Sequence, residues 1–162
     1  MNDLEKVRRS FRPQHITTLF VGESPPHNGT FFYKRDSRLY YRVKEAFGNG
    51  ANFLSEFKAK GFFLDDLVLY PINQIKDKNE RNEHRRKGVS LLAGRMKDYR
   101  PAAVVVLMCA IKPMVVDAMN QAGLSSVPLY VTPFPIFPKN LKAFKEKMAE
   151  IMPKLPVNGS HP

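Results

Sequence analysis

The chain has 162 residues, 43% of them hydrophobic, enough for one domain with its own core and no need of disulfides or structural metals on grounds of size. The one cysteine, Cys109, excludes an internal disulfide and a cysteine-built zinc or iron–sulfur site, so no metal or other cofactor is expected. Lys and Arg number 26 against 15 Asp and Glu, a formal charge of +11, which makes a polyanion the expected partner, DNA or RNA ahead of an anionic membrane or an acidic protein.

The opening stretch MNDLEKVRRSFRPQH is charged throughout, unlike a signal peptide, and no element is assigned to it. The first apolar run, Ile16 to Val21, reads as a strand. Asp36 or Ser37 then caps a helix carrying Leu39, Tyr40, Val43 and Phe47 at three- and four-residue spacing, which Gly48 stops. Asn52 is the expected cap of a short second helix bearing Phe53, Leu54 and Phe57, with Gly61 as its stop. A second strand is expected from Phe62 to Tyr70, and a longer helix from about Asn79 to Tyr99 with Val89, Leu92 and Met96 as its apolar stripe. A third strand, Ala102 to Leu107, precedes a helix started by Pro113 and stopped by Gly123. The fourth strand, Leu129 to Thr132, precedes a last helix from about Leu141 to Met152.

Strands alternating with helices predict a three-layer α/β/α sandwich around a central four-stranded parallel sheet. Residues 1–152 form the one expected domain and 153–162 a flexible C-terminal tail rich in Pro, Gly and Ser. No apolar run approaches the roughly 20 residues of a membrane helix, so a soluble monomer without a membrane partner is expected, cytoplasmic, and nucleoid-associated if prokaryotic.

In such a sheet ligands bind outside the carboxyl ends of the strands, which directs attention to four loops. The first, GESPPHNGTFFY, places Glu23 at a turn between Gly22 and two prolines, either as a general base for water or as a solvated acid. Phe31 and Phe32 downstream can stack a nucleobase or pack in the core. In the second, alternation points Asp65 and Asp66 to opposite faces, so at most one of them faces a pocket. Asn73 beyond them is either a base-reading amide or a turn former. The third carries Cys109, read as a buried small hydrophobe in preference to a nucleophile, and Lys112, a phosphate contact. The fourth, VTPFPIFPKN, holds Ile136 and Phe137 on a proline-stiffened tip, suited either to insertion into a base stack or to packing over the sheet end.

The order of strand, Gly22-Glu23-Ser24-Pro25 loop, aromatic pair, strand with a polar residue, RPAAVVVL strand and proline-rich final loop resembles the uracil-DNA glycosylase superfamily over about Ile16 to Met152. The resemblance implies that the first loop positions the water attacking the sugar carbon, through Glu23 and Ser24. It implies that Phe31 or Phe32 stacks on a flipped base. It maps the base-reading residue, usually Asn, near Asp65 or Asp66. An ionised carboxylate there accepts and does not donate, which favours an exocyclic amino group or a protonated edge. Phe134 stands where the family commonly has a histidine.

The expected function is hydrolysis of the N-glycosidic bond of a flipped, damaged or deaminated base in DNA. Glu23 and Ser24 would be catalytic, Phe31, Phe32, Asp66 and Asn73 would hold the base, and Lys34, Arg35, Arg81, Arg85, Arg86, Lys112 and Lys139 would hold phosphates, with Ile136 and Phe137 as wedge. The alternative is a catalytically weak or inactive protein of the same fold that binds nucleic acid or a nucleotide.

Overall fold

The computed structural model describes residues 2–158. It begins with a helix that the sequence reading left out, α1 (Asp3–Ser10), capped by Asn2, whose Oδ1 accepts from the Glu5 N–H at 2.9 Å. Then follow β1 (Thr18–Gly22), a short 3₁₀ turn (Phe32–Lys34), α2 (Arg38–Ala46), α3 (Phe53–Ala59) and β2 (Phe62–Asp66). The second half contains α4 (Lys78–Tyr99), β3 (Ala103–Val106), α5 (Lys112–Gln121), β4 (Leu129–Val131) and α6 (Leu141–Ile151).

All four strands are parallel, in the order β2-β1-β3-β4. Alternation along β2 sorts the helices between the faces. Phe62 packs with Phe20, with Phe47 at the end of α2 and with Phe57 of α3, whereas Phe63 meets Tyr99 of α4 on the other side. With α6 against α2 and α5 against α4, the three-layer α/β/α sandwich is complete. β1, β2 and β3 are buried along their whole length, as expected of parallel strands covered on both faces.

β2 is an edge strand, and its outward backbone groups need partners. The Leu64 N–H donates to the Tyr33 hydroxyl at 2.7 Å, while that hydroxyl and Arg8 Nη1 both donate to the Leu64 carbonyl. The 3₁₀ turn and α1 therefore cover this edge through two polar side chains. Burial pushes the Tyr33 phenol well above its ordinary value, so it remains a donor.

Several boundaries differ from the sequence expectations. β2 ends at Asp66 rather than Tyr70, although Leu67 and Val68 still donate to the carbonyls of Gly22 and Glu23 before β1's continuation turns away at Pro25. Ser37, not Asp36, caps α2, and Asp36 instead accepts from the Phe31 N–H at 2.8 Å. Asn52 makes no side-chain cap bond, and α4 is capped by Asp77. The expected flexible tail is corrected over its described part. Leu155 is buried, Thr18 Oγ1 donates to the Pro156 carbonyl at 3.2 Å, and the Asn158 N–H donates to Lys60 at 2.9 Å, so 153–158 is tied to the sheet. Residues 159–162 lie outside the described residues.

Candidate functional site

The strand order reverses direction at β1, because the chain moves outward to β2 and then crosses back to β3 on the other side. Such a reversal opens a crevice at the carboxyl ends of the strands. A cavity of about 520 Å³ lies there, lined by Gly22 to Asn28, Phe31, Leu64, Asp66, Asn73, Arg81, Met108, Phe134 and Ile136, among others. All four strand-end loops contribute, which is the arrangement the sequence predicted.

β1 delivers Gly22 and Glu23 to this cavity, and α4 crosses behind them. Glu23 is only 5% exposed. Arg85 Nε donates to its Oε2 at 2.7 Å and Arg81 Nε to the same oxygen at 2.9 Å, while Arg81 Nη2 engages Oε1. Arg85 is itself buried and is held further by Asn82 Oδ1 at 2.8 Å and by the Met108 sulfur. The expectation of Glu23 as a freely placed water-activating base is thereby corrected: both of its oxygens are engaged by guanidinium groups. Arg81 and Arg85 are corrected with it. Their forks are committed to Glu23 inside the protein rather than presented to phosphates, although Arg81 still reaches the cavity wall. Two guanidiniums against one carboxylate leave the group net positive.

β2 delivers the second pair of acids. Asp66 lines the cavity with its Oδ2 accepting from Arg8 Nη2 at 3.0 Å, and Asp65 points to the α4 side, as alternation requires. There Asp65 accepts from Arg95 Nε at 2.8 Å and from the Tyr99 hydroxyl at 2.9 Å, with Arg8 Nη1 3.6 Å away. Arg95 also donates to the Asp66 carbonyl at 2.6 Å, so this cation of the basic helix is structural. Burial opposes the charge of Asp65, but Arg8 and Arg95 outweigh it and hold the carboxyl below its usual range. Burial pushes Asp66 the other way, up to about 6, against the pull of Arg8 and with the repulsion of Asp65 added. The Arg8 guanidinium resists its own burial through these two acids and Glu5, which raise its pKa above its ordinary value.

The remaining residues separate into those that meet in the cavity and those that do not. Ser24 lines it, with its Oγ accepting from the Ile72 N–H at 3.3 Å. Asn73 lines it too, its Oδ1 accepting from the His27 N–H at 3.0 Å, which ties the second loop to the first. Phe31 and Phe32 both reach the wall but are 1% and 3% exposed, so neither presents an open ring face. Phe32 belongs to the aromatic core with Tyr40, Phe53 and Phe57, and Phe31 lies beneath the Arg8 guanidinium at 5.0 Å. Ile136 faces the cavity and Phe137, 52% exposed, stands outside it. Lys34, Arg35, Arg86, Lys112 and Lys139 are exposed and none lines the cavity. Cys109 is exposed, not buried, because its 3₁₀ turn lies at the mouth of the β3–α5 connection, with Sγ 3.6 Å from the Thr132 carbonyl.

Three residues at or beside the cavity had no base-holding role in the sequence reading. Arg8 could have been found as a member of a capped helix with Leu4, Val7 and Phe11 on its apolar side. Arg38 follows the Ser37 cap and lines the cavity while exposed. Phe134, noted only as the replacement for a histidine, is half-buried in the wall and offers the ring that Phe31 and Phe32 do not. A comparison with models of known protein families finds no match, and a comparison with curated proteins finds none either.

Proposed function

We propose that the cavity receives a nucleobase flipped out of DNA and that the protein hydrolyses its N-glycosidic bond, the base being a damaged or deaminated one. The observation that carries this reading is the meeting of the Gly22–Ser24 turn, the Asp66 carboxyl and the Asn73 amide in one strand-end cavity large enough for a base and its sugar. Asp66 and the Asn73 Nδ2 group read the base edge, and Phe134 packs on its face. The sugar lies toward the Gly22–Ser24 turn. Water adds to the sugar C1′ there as the C1′–N bond breaks, the base keeps the bonding pair and is protonated, and the proton released by water passes to solvent. The excess positive charge of Arg81 and Arg85 over Glu23 favours the anionic leaving base, a task for which the Phe134 ring has no donor. Exposed cations such as Arg86 and Lys139 hold the phosphates, and a monomer binding DNA suffices for all of these roles.

The engagement of Glu23 favours a second reading, binding of a flipped base or nucleotide without cleavage, since no unpaired carboxylate remains at the turn to activate water. Single-turnover release of base from duplexes containing uracil, hypoxanthine or an alkylated adenine, run beside binding to the same duplexes and to unmodified DNA, separates the two. Abasic product from any of them is the expected result. Salt-sensitive binding with no abasic product from any lesion would replace hydrolysis by the second reading.

A further inference from the structure

Asp66 has an asymmetry that its ion pair does not explain. Its Oδ2 is held by Arg8, but its Oδ1 accepts no hydrogen bond from any described residue, although the residue is 4% exposed. Buried carboxylate oxygens are ordinarily satisfied, and one left open on a cavity wall is matched to a donor that arrives with a ligand. The backbone makes room for it. Gly22 and Asp66 are register partners on β1 and β2, and a Cβ on Gly22 would come within 2.7 Å of Oδ1. No side chain other than glycine's hydrogen leaves that oxygen where it is. The rest of the wall around it is apolar, with Leu39, Leu64, Met108 and Phe134, so the fitting ligand is a flat ring with a donor on one edge.

We propose that Asp66 Oδ1 is a specificity-determining acceptor that selects bases bearing an exocyclic amino group, as in alkylated or oxidised adenines and cytosines, over the corresponding oxo bases. This rests on the nucleobase reading of the cavity and narrows it. An amino group donates to Oδ1, whereas a carbonyl oxygen in its place sets two acceptors against each other in a site where water cannot relieve them. Arg8 fixes the rotation of the carboxyl, so Asp66 cannot turn a different oxygen toward an oxo base without breaking its ion pair.

The test uses the full chain at about pH 8, where Asp66 is ionised. Four duplexes each carry one 2′-fluoroarabino nucleotide, which resists glycosidic cleavage, opposite an abasic site so that extrusion breaks no base pair. The bases are cytosine, uracil, adenine and hypoxanthine, and a fifth duplex carries a tetrahydrofuran in place of the nucleotide. The expected result is binding of cytosine over uracil and of adenine over hypoxanthine by about tenfold each. D66N, whose amide keeps an acceptor for Arg8 and can donate, reverses both preferences. Equal affinities within each pair, or tighter binding of the oxo member, with all four above the tetrahydrofuran duplex, overturn the selectivity and leave the base pocket standing. Four affinities no higher than that of the tetrahydrofuran duplex overturn the base pocket and the selectivity together. The wild-type comparison decides the matter without D66N if that variant does not fold.

Discussion

Two buried acids, Glu23 and Asp66, stand a short distance apart in chemistry as well as in the cavity wall. Glu23 has both oxygens bonded by arginines, and Asp66 has one oxygen bonded and one open. The difference has a measurable thermodynamic sign. Asp66 rises from an ordinary 3.8 to about 6 in the folded chain, so the stabilisation it contributes is complete below the lower value and is lost as pH rises through the higher one. Urea unfolding of wild type and D66N across that range should show the wild type gaining about 3 kcal/mol relative to D66N between neutral pH and the acid side of the window. A difference between the two proteins that does not change with pH would mean that burial does not raise the Asp66 carboxyl. Asp65, lowered by Arg8 and Arg95, contributes in the opposite sense and is present in both proteins, so it cancels in the comparison.

At the scale of elements, α4 is the member that unites packing with the site. Its buried residues, Arg85, Gly88, Val89, Leu92, Ala93 and Met96, recur at three- and four-residue spacing, and the stripe begins with the arginine that holds Glu23. Gly88 lets the helix press against the chain leaving β2, since a Cβ there would stand 2.5 Å from the Leu67 carbonyl. Helix propensity alone would have Gly88→Ala stabilise by about 1 kcal/mol. Overpacking against backbone outweighs that, and a net loss of about 1–3 kcal/mol in urea unfolding is expected. A variant as stable as wild type would show that α4 can retreat from β2 without cost. The strands and most helices were legible because β-branched runs and three-to-four spacing are local signals. α1 was not, because its value lies in Arg8, whose partners Leu64 and Asp66 are 56 and 58 residues away in sequence. The Glu23 engagement was hidden for the same reason: its partners lie 58 and 62 residues downstream, in what reads as a solvated basic helix.

For the molecule as a whole, the net charge of +11 overstates the cations free to meet a polyanion. Arg8, Arg81, Arg85 and Arg95 are paired with acids inside or at the edge of the core, whereas Arg86, Lys112 and Lys139 are exposed. If DNA is the partner, its affinity should fall steeply with added salt, and R86A or K139A should each reduce the slope of log affinity against log salt by about one. Filter binding or anisotropy over a salt series measures it, and a slope near zero would exclude a phosphate-binding face. Among the described residues no helix is long and apolar enough to cross a membrane. The cavity's place was legible from the alternation of strands and helices, since the carboxyl ends of a parallel sheet are its expected location. The roles of Phe31 and Phe32 were not, because sequence cannot tell a ring beside a pocket from a ring inside it.

The covering of β2 also governs how copies of this chain can meet. An uncovered edge of a parallel sheet is a template for one more strand, from a neighbour or from an unfolding copy. With the Leu64 N–H and carbonyl already occupied by Tyr33 and Arg8, that side of the sheet cannot be extended unless both side chains leave. The other edge is β4, which is three residues long. The sheet is thus closed to growth on one side by two side chains and limited on the other by brevity, which gives a strongly twisted four-stranded sheet protection against fibrous self-assembly without a barrel or a long covering helix.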